Sequence, residues 1–191
     1  MTAYSVAQSE LILGGQKSGK SRRAELLARA WLDAKPGHQA VLIATAQPWD
    51  EEMRQRIARH QADRAERVPG MQTVEEAVAL AQAIRAHSHP DTMVVVDCLT
   101  LWLTNLRMPA DEQPVSNMVS EQINALLAAL AQATGPVVLV GNEIGLGVIP
   151  MGSQVRAFVD ALGHLNQSVA ATCERVTMMV AGLPLTMKGA A

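Results

Sequence analysis

Residues 14–21 read Gly14-Gly15-Gln16-Lys17-Ser18-Gly19-Lys20-Ser21, which matches the P-loop pattern G-x-x-x-x-G-K-[ST]. The stretch 10–13 before the glycines predicts a short buried strand, and a helical pattern begins at Ser21. This order allows backbone N–H groups and the positive end of a helix to surround a polyphosphate. In such a loop Lys20 reaches the β- and γ-phosphates, and the Ser21 hydroxyl binds Mg²⁺. The stretch therefore predicts a nucleotide-binding α/β protein.

The composition excludes several other classes of function. The 191 residues predict one domain spanning 1–191, which can bury roughly 70% of its unfolded surface. A net charge of −2 and few aromatic residues provide no surface for nucleic acid. Cys98 and Cys173 are too few and too far apart to indicate a disulfide framework or a zinc site. No apolar run approaches about 18 residues and no signal peptide is visible, so we expect a cytoplasmic protein.

Apolar stretches alternate with helical patterns along the rest of the chain. Further strands are predicted at 40–44, 93–97, 137–140 and 175–181. Helices are predicted from Ser21 to a turn at 35–37 and at 50–68, 73–86, 99–106, 116–133 and 154–172. The helix at 73–86 is inferred from the capping-box pattern Thr73-Val74-Glu75-Glu76. Residues 1–9 are expected to be frayed, and loops are expected at 109–114 and 141–150.

The strands are mostly continuous apolar runs rather than alternations of apolar and polar residues. Such strands, alternating with helices, predict a parallel sheet that is covered on both faces. Ligands of these sheets bind at the carboxyl ends of the strands. The P-loop, Asp97 and the loop 141–150 should all lie at that edge.

Asp97 ends an apolar strand, as does the carboxylate that holds Mg²⁺ in P-loop NTPases. The next residue is Cys98, whereas many hydrolytic P-loop enzymes have a glutamate there to orient water. The sequence therefore favours transfer to a bound acceptor over hydrolysis, although Glu143 could still orient water. Asn142 and Glu143 follow the strand 137–140, where they either face the phosphates or belong to an ordinary glycine-containing loop.

The helix at 50–68 places Arg56, His60 and Arg64 on one face, at positions i, i+4 and i+8. By itself this pattern is typical of a solvated charged face. Next to a P-loop it also fits a catalytic group, because a histidine side chain is mostly neutral at pH 7 and can attack a phosphate. The two guanidinium groups would neutralise the anion under attack.

Several short stretches, spread along nearly the whole chain, are together far more specific than the P-loop. Besides 14–21 they are Ala44-Thr45-Ala46, Asp50, Glu52-Met53, Arg56-Ile57, His60, Arg64, Asp97-Cys98-Leu99-Thr100, Thr104-Asn105-Leu106, Asn142-Glu143-Ile144-Gly145, Gly147, Pro150, Arg156, Phe158, Asp160, Gly163, Asn166-Gln167 and Gly182. On these residues the chain resembles the bifunctional adenosylcobinamide kinase/adenosylcobinamide-phosphate guanylyltransferase family of cobalamin biosynthesis.

The resemblance implies a three-layer P-loop NTPase fold, with a RecA-like, mostly parallel sheet that has helices on both faces, and a homotrimer. It also implies two reactions. ATP or GTP phosphorylates adenosylcobinamide, and a histidine, His60 by position, then carries GMP from GTP to adenosylcobinamide phosphate. On this interpretation His60 and Lys20 are catalytic, and Ser21 and Asp97 bind Mg²⁺. The nucleotide-binding residues are then 14–21, Arg56, Arg64, Asn142 and Glu143.

The chain departs from the usual pattern of the family at two positions. Lys17 stands where the family usually has arginine, which keeps the charge but loses the bidentate fork. Gly141 replaces a usual serine or threonine and removes a hydroxyl. Two alternatives are a P-loop kinase of another small metabolite, which leaves His60 unexplained, and a nucleotide-driven switch. Against the switch, the chain lacks the guanine-reading motif Asn-Lys-x-Asp.

Overall fold

The computed structural model describes residues 4–108 and 116–190, in which seven strands and six helices follow one another. The strands are β1 Ser9–Gly14, β2 Gln39–Ala44, β3 Gln72–Glu75, β4 Thr92–Asp97, β5 Val137–Val140, β6 Arg175–Val180 and β7 Leu183–Lys188. The helices are α1 Lys20–Ala34, α2 Glu51–Arg67, α3 Leu80–His87, α4 Leu99–Arg107, α5 Ser116–Gln132 and α6 Ser153–Thr172. The loop predicted at 109–114 lies outside the described residues. Among these six helices, none has both the length and the apolar character that crossing a membrane requires.

All seven strands belong to one sheet with the order β3-β2-β4-β5-β1-β6-β7. Every neighbouring pair is parallel except β6 and β7, which form an antiparallel hairpin. The prediction of a mostly parallel sheet is therefore confirmed. Strand β5 lies between the P-loop strand β1 and the Asp97 strand β4, as in RecA-like folds.

Helices cover both faces of the sheet, which confirms the three-layer arrangement. Leu11 and Leu13 of β1 belong to a core formed with α3, α4, α5 and α6. Ile12, between them, belongs to a second core formed with α1. Each inner strand therefore supplies apolar side chains to both cores, and this explains why its sequence is continuously apolar.

The helix predicted at 73–86 is wrong in its first half. Thr73 and Val74 lie in β3, where they pair with Leu42 and Ile43 of β2, and α3 begins only at Leu80. A glutamate side chain does accept backbone N–H groups at the start of a helix, but later in the chain than predicted. Glu76 Oε1 accepts the backbone N–H groups of Val78 and Ala79, at 2.8 and 2.7 Å, just before the helix. Pairing with β2 thus outweighs a local helix signal that the sequence alone favoured.

The chain ends also differ from the prediction. Ser5 and Gln8, which lie in the segment predicted to be frayed, are instead held by hydrogen bonds: Gln8 N donates to Glu174 Oε2 at 2.8 Å, and Arg175 Nη1 donates to the Ser5 carbonyl at 2.7 Å. Strand β7 was not predicted. It follows Ala181 and Gly182, whose φ angles of 52° and 81° suit the tight turn of a β-hairpin.

A buried carboxylate ties β1 to α1 and β6. Glu10 is fully buried and faces two guanidinium groups, Arg23 Nη2 at 3.0 Å and Arg175 Nη1 at 3.4 Å. Its Oε1 also accepts the Thr177 hydroxyl at 2.7 Å. The carboxylate is the counter-charge that both guanidinium groups share, and it matters because Arg23 and Arg175 are themselves largely shielded from water.

We expect Glu10→Gln to lower the free energy of unfolding by roughly 3 to 5 kcal/mol, because it leaves buried guanidinium groups without a counter-charge. Urea unfolding followed by tryptophan fluorescence measures the change. Asp33→Asn is the control, since the Arg29–Asp33 pair is exposed to solvent and should contribute little to stability. Equal effects of the two substitutions would show that the Glu10 cluster adds no special stability.

Candidate functional site

The P-loop is the turn between β1 and α1, and its first residue must be glycine. Gly14 has a φ of 152°, and a Cβ atom placed there would lie 2.5 Å from the Met179 carbonyl oxygen and 2.6 Å from Ser18 Oγ. Gly19, with a φ of 101°, leads into the first turn of α1. Any side chain at Gly14 would therefore push the loop away from β6 and change the backbone that is expected to surround a phosphate.

Lys20 is buried at the start of α1, and its Nζ donates to the Gly15 carbonyl at 2.6 Å. Burial lowers the pKa of Lys20 below its ordinary value. The Cys98 and Asp97 side chains oppose this shift, and Arg56 adds to it. Since the ammonium group bonds a loop carbonyl rather than a carboxylate, it remains available to an incoming phosphate.

Ser21 and Asp97 line the same cleft, although they are far apart in sequence. The Asp97 carboxylate has no hydrogen bond or ion pair to the residues that the structure describes, so it is free to face a cation. No group of three or more His, Cys, Asp and Glu side chains converges within 4–108 and 116–190. These residues fit Mg²⁺ held by one hydroxyl, one carboxylate and the oxygens of a nucleotide. When bound, the ion would neutralise phosphate charge.

Thr45 holds the segment after β4 against the end of β2. Its buried hydroxyl donates to the Cys98 carbonyl at 2.7 Å and accepts the Cys98 N–H at 2.8 Å. Asn105, also buried, donates from Nδ2 to the carbonyls of Thr45 and Ala77 at 2.8 and 3.0 Å. One hydroxyl and one amide thus connect the loops that follow three strands, and they hold Asp97 in place at the centre.

Cys98 is also in the cleft, but its chemistry is not that of a nucleophile. Burial raises the pKa of the Cys98 thiol to about 11, and the charge of Asp97 acts in the same direction. The thiol therefore stays protonated at neutral pH, and only the thiolate is strongly nucleophilic.

Helix α2 is held at both ends. The Asp50 side chain accepts the Met53 N–H at 2.7 Å as an N-cap, and Arg67 Nη1 near the other end contacts Glu25 Oε2 of α1 at 2.7 Å. His60 is half-buried, Arg64 is buried and Arg56 is exposed. The helix therefore presents an imidazole with two guanidinium groups on the side that faces the sheet edge.

The three residues predicted on α2 share one cleft of about 100 Å³ with the two predicted Mg²⁺ ligands, whereas residues 14–20 do not line it. Arg56, His60 and Arg64 form one wall of this cleft, and Ser21 and Asp97 lie in the same cavity. Arg64 has no carboxylate partner among the described residues, although it is only 8% exposed. An arginine in this state provides a ready site for a phosphate.

Asn142 and Glu143 do not line this cleft but flank the P-loop from β5. The Glu143 N–H donates to the Gly14 carbonyl at 3.1 Å, and the Asn142 N–H donates to Thr100 Oγ1 at 2.9 Å. The Glu143 carboxylate accepts the Gly145 N–H at 2.9 Å. Glu143 thus contacts the P-loop through its backbone N–H, whereas Asn142 is held by α4. The role of these two residues in binding nucleotide stays a prediction.

The sequence patterns assigned no part in the site to three of its residues, Thr45, Asn105 and Glu75. The first two appear among the short stretches quoted above, but their hydrogen bonds span 53 and 60 positions and have no local signal. Glu75 lines the cleft because β3 places it beside Ala44 at the end of β2. Because 73–86 was predicted to be a helix, the sequence did not indicate that Glu75 lies at the end of a strand.

The fold and the site together define a P-loop nucleotide-binding protein of the RecA-like class. A solved structure, that of the flagellar accessory protein FlaH from Methanocaldococcus jannaschii, superposes with a TM-score of 0.53. The alignment covers 96% of this chain and 79% of FlaH at 11% sequence identity, so this similarity shows the fold alone.

The sequence pattern of the family described as cobinamide kinase / cobinamide phosphate guanyltransferase matches residues 10–187. The bifunctional adenosylcobalamin biosynthesis protein CobP of Pseudomonas aeruginosa is 47% identical over 180 residues, covering 94% of this chain and 97% of that protein. The bifunctional adenosylcobalamin biosynthesis protein CobU of Escherichia coli is 34% identical over 187 residues, covering 93% of this chain and 98% of that protein. The chain belongs to this family and is an enzyme with its kinase and guanylyltransferase activities. The predicted resemblance is confirmed.

Proposed function

We propose that this enzyme carries out its two reactions in the neighbouring P-loop and His60 parts of one site. In the first, the aminopropanol hydroxyl of adenosylcobinamide attacks the γ-phosphorus of ATP or GTP. The bond from that phosphorus to the β–γ bridging oxygen breaks, the nucleoside diphosphate leaves and the hydroxyl proton is released. Lys20 and the backbone of 14–21 neutralise and orient the transferred group, while Ser21 and Asp97 hold Mg²⁺.

In the second reaction, an imidazole nitrogen of His60 attacks the α-phosphorus of GTP. The bond to the bridging oxygen between the α- and β-phosphates breaks, and pyrophosphate leaves from a guanylyl-histidine. A phosphate oxygen of adenosylcobinamide phosphate then attacks the same phosphorus. This frees His60 and gives adenosylcobinamide-GDP. Arg56 and Arg64 neutralise the phosphate charge during both displacements.

One observation carries this proposal: His60 lies in the same cleft as Ser21 and Asp97, between two arginines on its own helix. A kinase of another metabolite would need the P-loop and Asp97 but would have no use for a histidine there. The alternative thiol in the cleft, Cys98, is kept protonated by burial.

We expect His60→Ala to reduce covalent labelling by α-labelled GTP at least on the order of a hundredfold, because the nucleophile is lost. Phosphorylation of adenosylcobinamide should stay within a few-fold of wild type, since the P-loop and the Mg²⁺ ligands are untouched. The wild-type label should be labile in acid and stable in base, as a phosphoramidate is.

The matched control is His38→Ala, because His38 stacks on Trp31 with ring centroids 3.8 Å apart and does not line the cleft. Labelling of the His38→Ala variant should equal that of wild type. Wild-type labelling of the His60→Ala protein would instead show that the nucleophile lies elsewhere.

We also propose that the cleft selects guanine through Glu75. Its walls include a row of apolar side chains suited to a flat base: Leu42, Ala44, Met53, Ile57 and Leu101. The Glu75 carboxylate has no hydrogen bond to the described part of the chain, whereas that of Glu76 is engaged in front of α3. A free carboxylate can accept both N1–H and the 2-amino group of guanine, which adenine does not offer.

Glu75→Gln should change the preferred base from guanine to xanthine. The amide can accept N1–H and donate to the carbonyl at C2 of xanthine, but it repels the 2-amino group of guanine. We expect the ratio of labelling rates for XTP and GTP to rise on the order of tenfold or more. Glu76→Gln is the control and should leave this ratio unchanged. If the Glu75→Gln ratio also stays unchanged, guanine is selected by other groups.

We further propose, on the family resemblance, a homotrimer that acts in the cytoplasm on small molecules and not on nucleic acid. The exposed side chains Leu183, Leu185 and Met187 on the edge strand β7 support this, since they offer an apolar surface for subunit contact. Sedimentation equilibrium should give three times the chain mass of 20.4 kDa. A mass of 20.4 kDa at micromolar concentration would contradict the trimer.

A further inference from the structure

A second apolar surface lies next to the P-loop and is not used by the nucleotide site. The segment 144–151, which we call the apolar loop, exposes Leu146, Val148, Ile149 and Met151 by 79%, 97%, 77% and 96%. Exposed patches of this kind bordered by polar groups mark binding surfaces. These side chains belong to neither hydrophobic core, so their exposure indicates a surface that binds a ligand or partner.

The apolar loop is anchored at both ends. At its start, the Glu143 N–H donates to the carbonyl of Gly14, the first P-loop residue. At its end, Arg156 Nη1 of α6 donates to the Pro150 carbonyl at 3.0 Å and also to the Met151 carbonyl. The apolar surface is thus joined directly to the loop that is expected to bind phosphate.

Ile144, Val148 and Ile149 of the apolar loop, together with α6, border an open depression of about 520 Å³. Sites for small molecules usually measure about 300 to 1,000 Å³, so this depression is large enough for part of a bulky substrate. The His60 cleft has a smaller volume of about 100 Å³. Helix α6 lines the depression with one face, on which Arg156, Asp160, His164 and Gln167 supply hydrogen-bond donors and acceptors.

Gly163 lies on the same face of α6, in the middle of the helix. Glycine there costs about 1 kcal/mol relative to alanine. No neighbouring atom requires it, since a Cβ atom at Gly163 would have nothing within 4 Å. Its effect on the structure is to leave the floor of the depression flat and open between the polar side chains.

We propose that this depression binds the corrin macrocycle of the acceptor, an inference that rests on the proposed function. The macrocycle has apolar faces and a rim of amide side chains. The apolar loop matches the faces, and the polar residues of α6 match the amides. Because the apolar loop begins at the P-loop, an acceptor bound here can direct its hydroxyl arm toward the phosphates. The single depression would then serve both reactions, since the acceptor keeps its corrin ring in each.

Gly163→Leu tests this assignment without disturbing the fold, because the added side chain enters open space and leucine favours helix. We expect binding of adenosylcobinamide, measured by calorimetry, to weaken on the order of tenfold or more, equivalent to about 1.4 kcal/mol. The KM for adenosylcobinamide in the kinase reaction should rise similarly. Gly163→Ala should have a smaller effect in the same direction.

Two further measurements isolate the effect. Labelling of His60 by α-labelled GTP without acceptor should match wild type, because the nucleotide cleft is unchanged. Ala171→Leu, on an exposed part of the same helix outside the depression, should match wild type in adenosylcobinamide binding. These controls separate a blocked acceptor site from a general change in α6.

The outcomes are distinct. If wild type binds adenosylcobinamide and Gly163→Leu binds it equally well, the corrin assignment is wrong while the proposed function stands. If Gly163→Leu instead lowers the mass found by sedimentation, the depression contacts a second copy of the chain and the assignment is likewise wrong. If wild type neither binds nor phosphorylates adenosylcobinamide, the proposed function fails, and the assignment fails with it.

Discussion

Parallel pairing among the five strands β1, β2, β3, β4 and β5 is the constraint on which the rest of the site depends. Parallel strands end at the same edge of a sheet, so the residues that follow them must meet there. Gly14, Glu75 and Asp97 end three of these strands, Thr45 directly follows β2, and Asn142 lies two residues after β5. In the sheet a single strand, β5, separates the P-loop strand β1 from the Asp97 strand β4. This order brings Ser21 and Asp97 into one cleft. Without this pairing the phosphate loop and the carboxylate would be unrelated segments of the chain.

The loops at this edge are joined by a few buried polar groups rather than by apolar packing. The Thr45 hydroxyl bonds both polar atoms of the Cys98 backbone, and Asn105 bonds the carbonyls of Thr45 and of Ala77 in a third loop. Each of these groups is satisfied, so the arrangement avoids the cost of an unpaired buried polar atom. Such a network favours one arrangement of the loops, which suits a site that must orient phosphates.

The site also carries positive charge that the described residues do not fully balance. Lys20 and Arg64 are both largely buried, and neither forms an ion pair with a carboxylate in 4–108 or 116–190. Burying these groups costs stability in the absence of an anion, and burial lowers the pKa of Lys20. A bound polyphosphate would relieve that cost. Glu10, by contrast, is paired with two arginines at the opposite end of β1 and stabilises the sheet rather than the site.

The sequence by itself determined the P-loop, the Asp97 strand end, the charged face of α2 and a parallel sheet with helices on both faces. Each of these is a local pattern: a glycine turn, a continuous apolar run or a helical repeat. Tertiary structure alone decided that 72–75 is a strand, that β7 closes a hairpin and that Thr45 and Asn105 hold the central loops. Strand pairing and hydrogen bonds between distant residues depend on partners that no local window contains. For the same reason, only the arrangement of the strands in the sheet brings His60, Asp97 and Glu75 into one cleft.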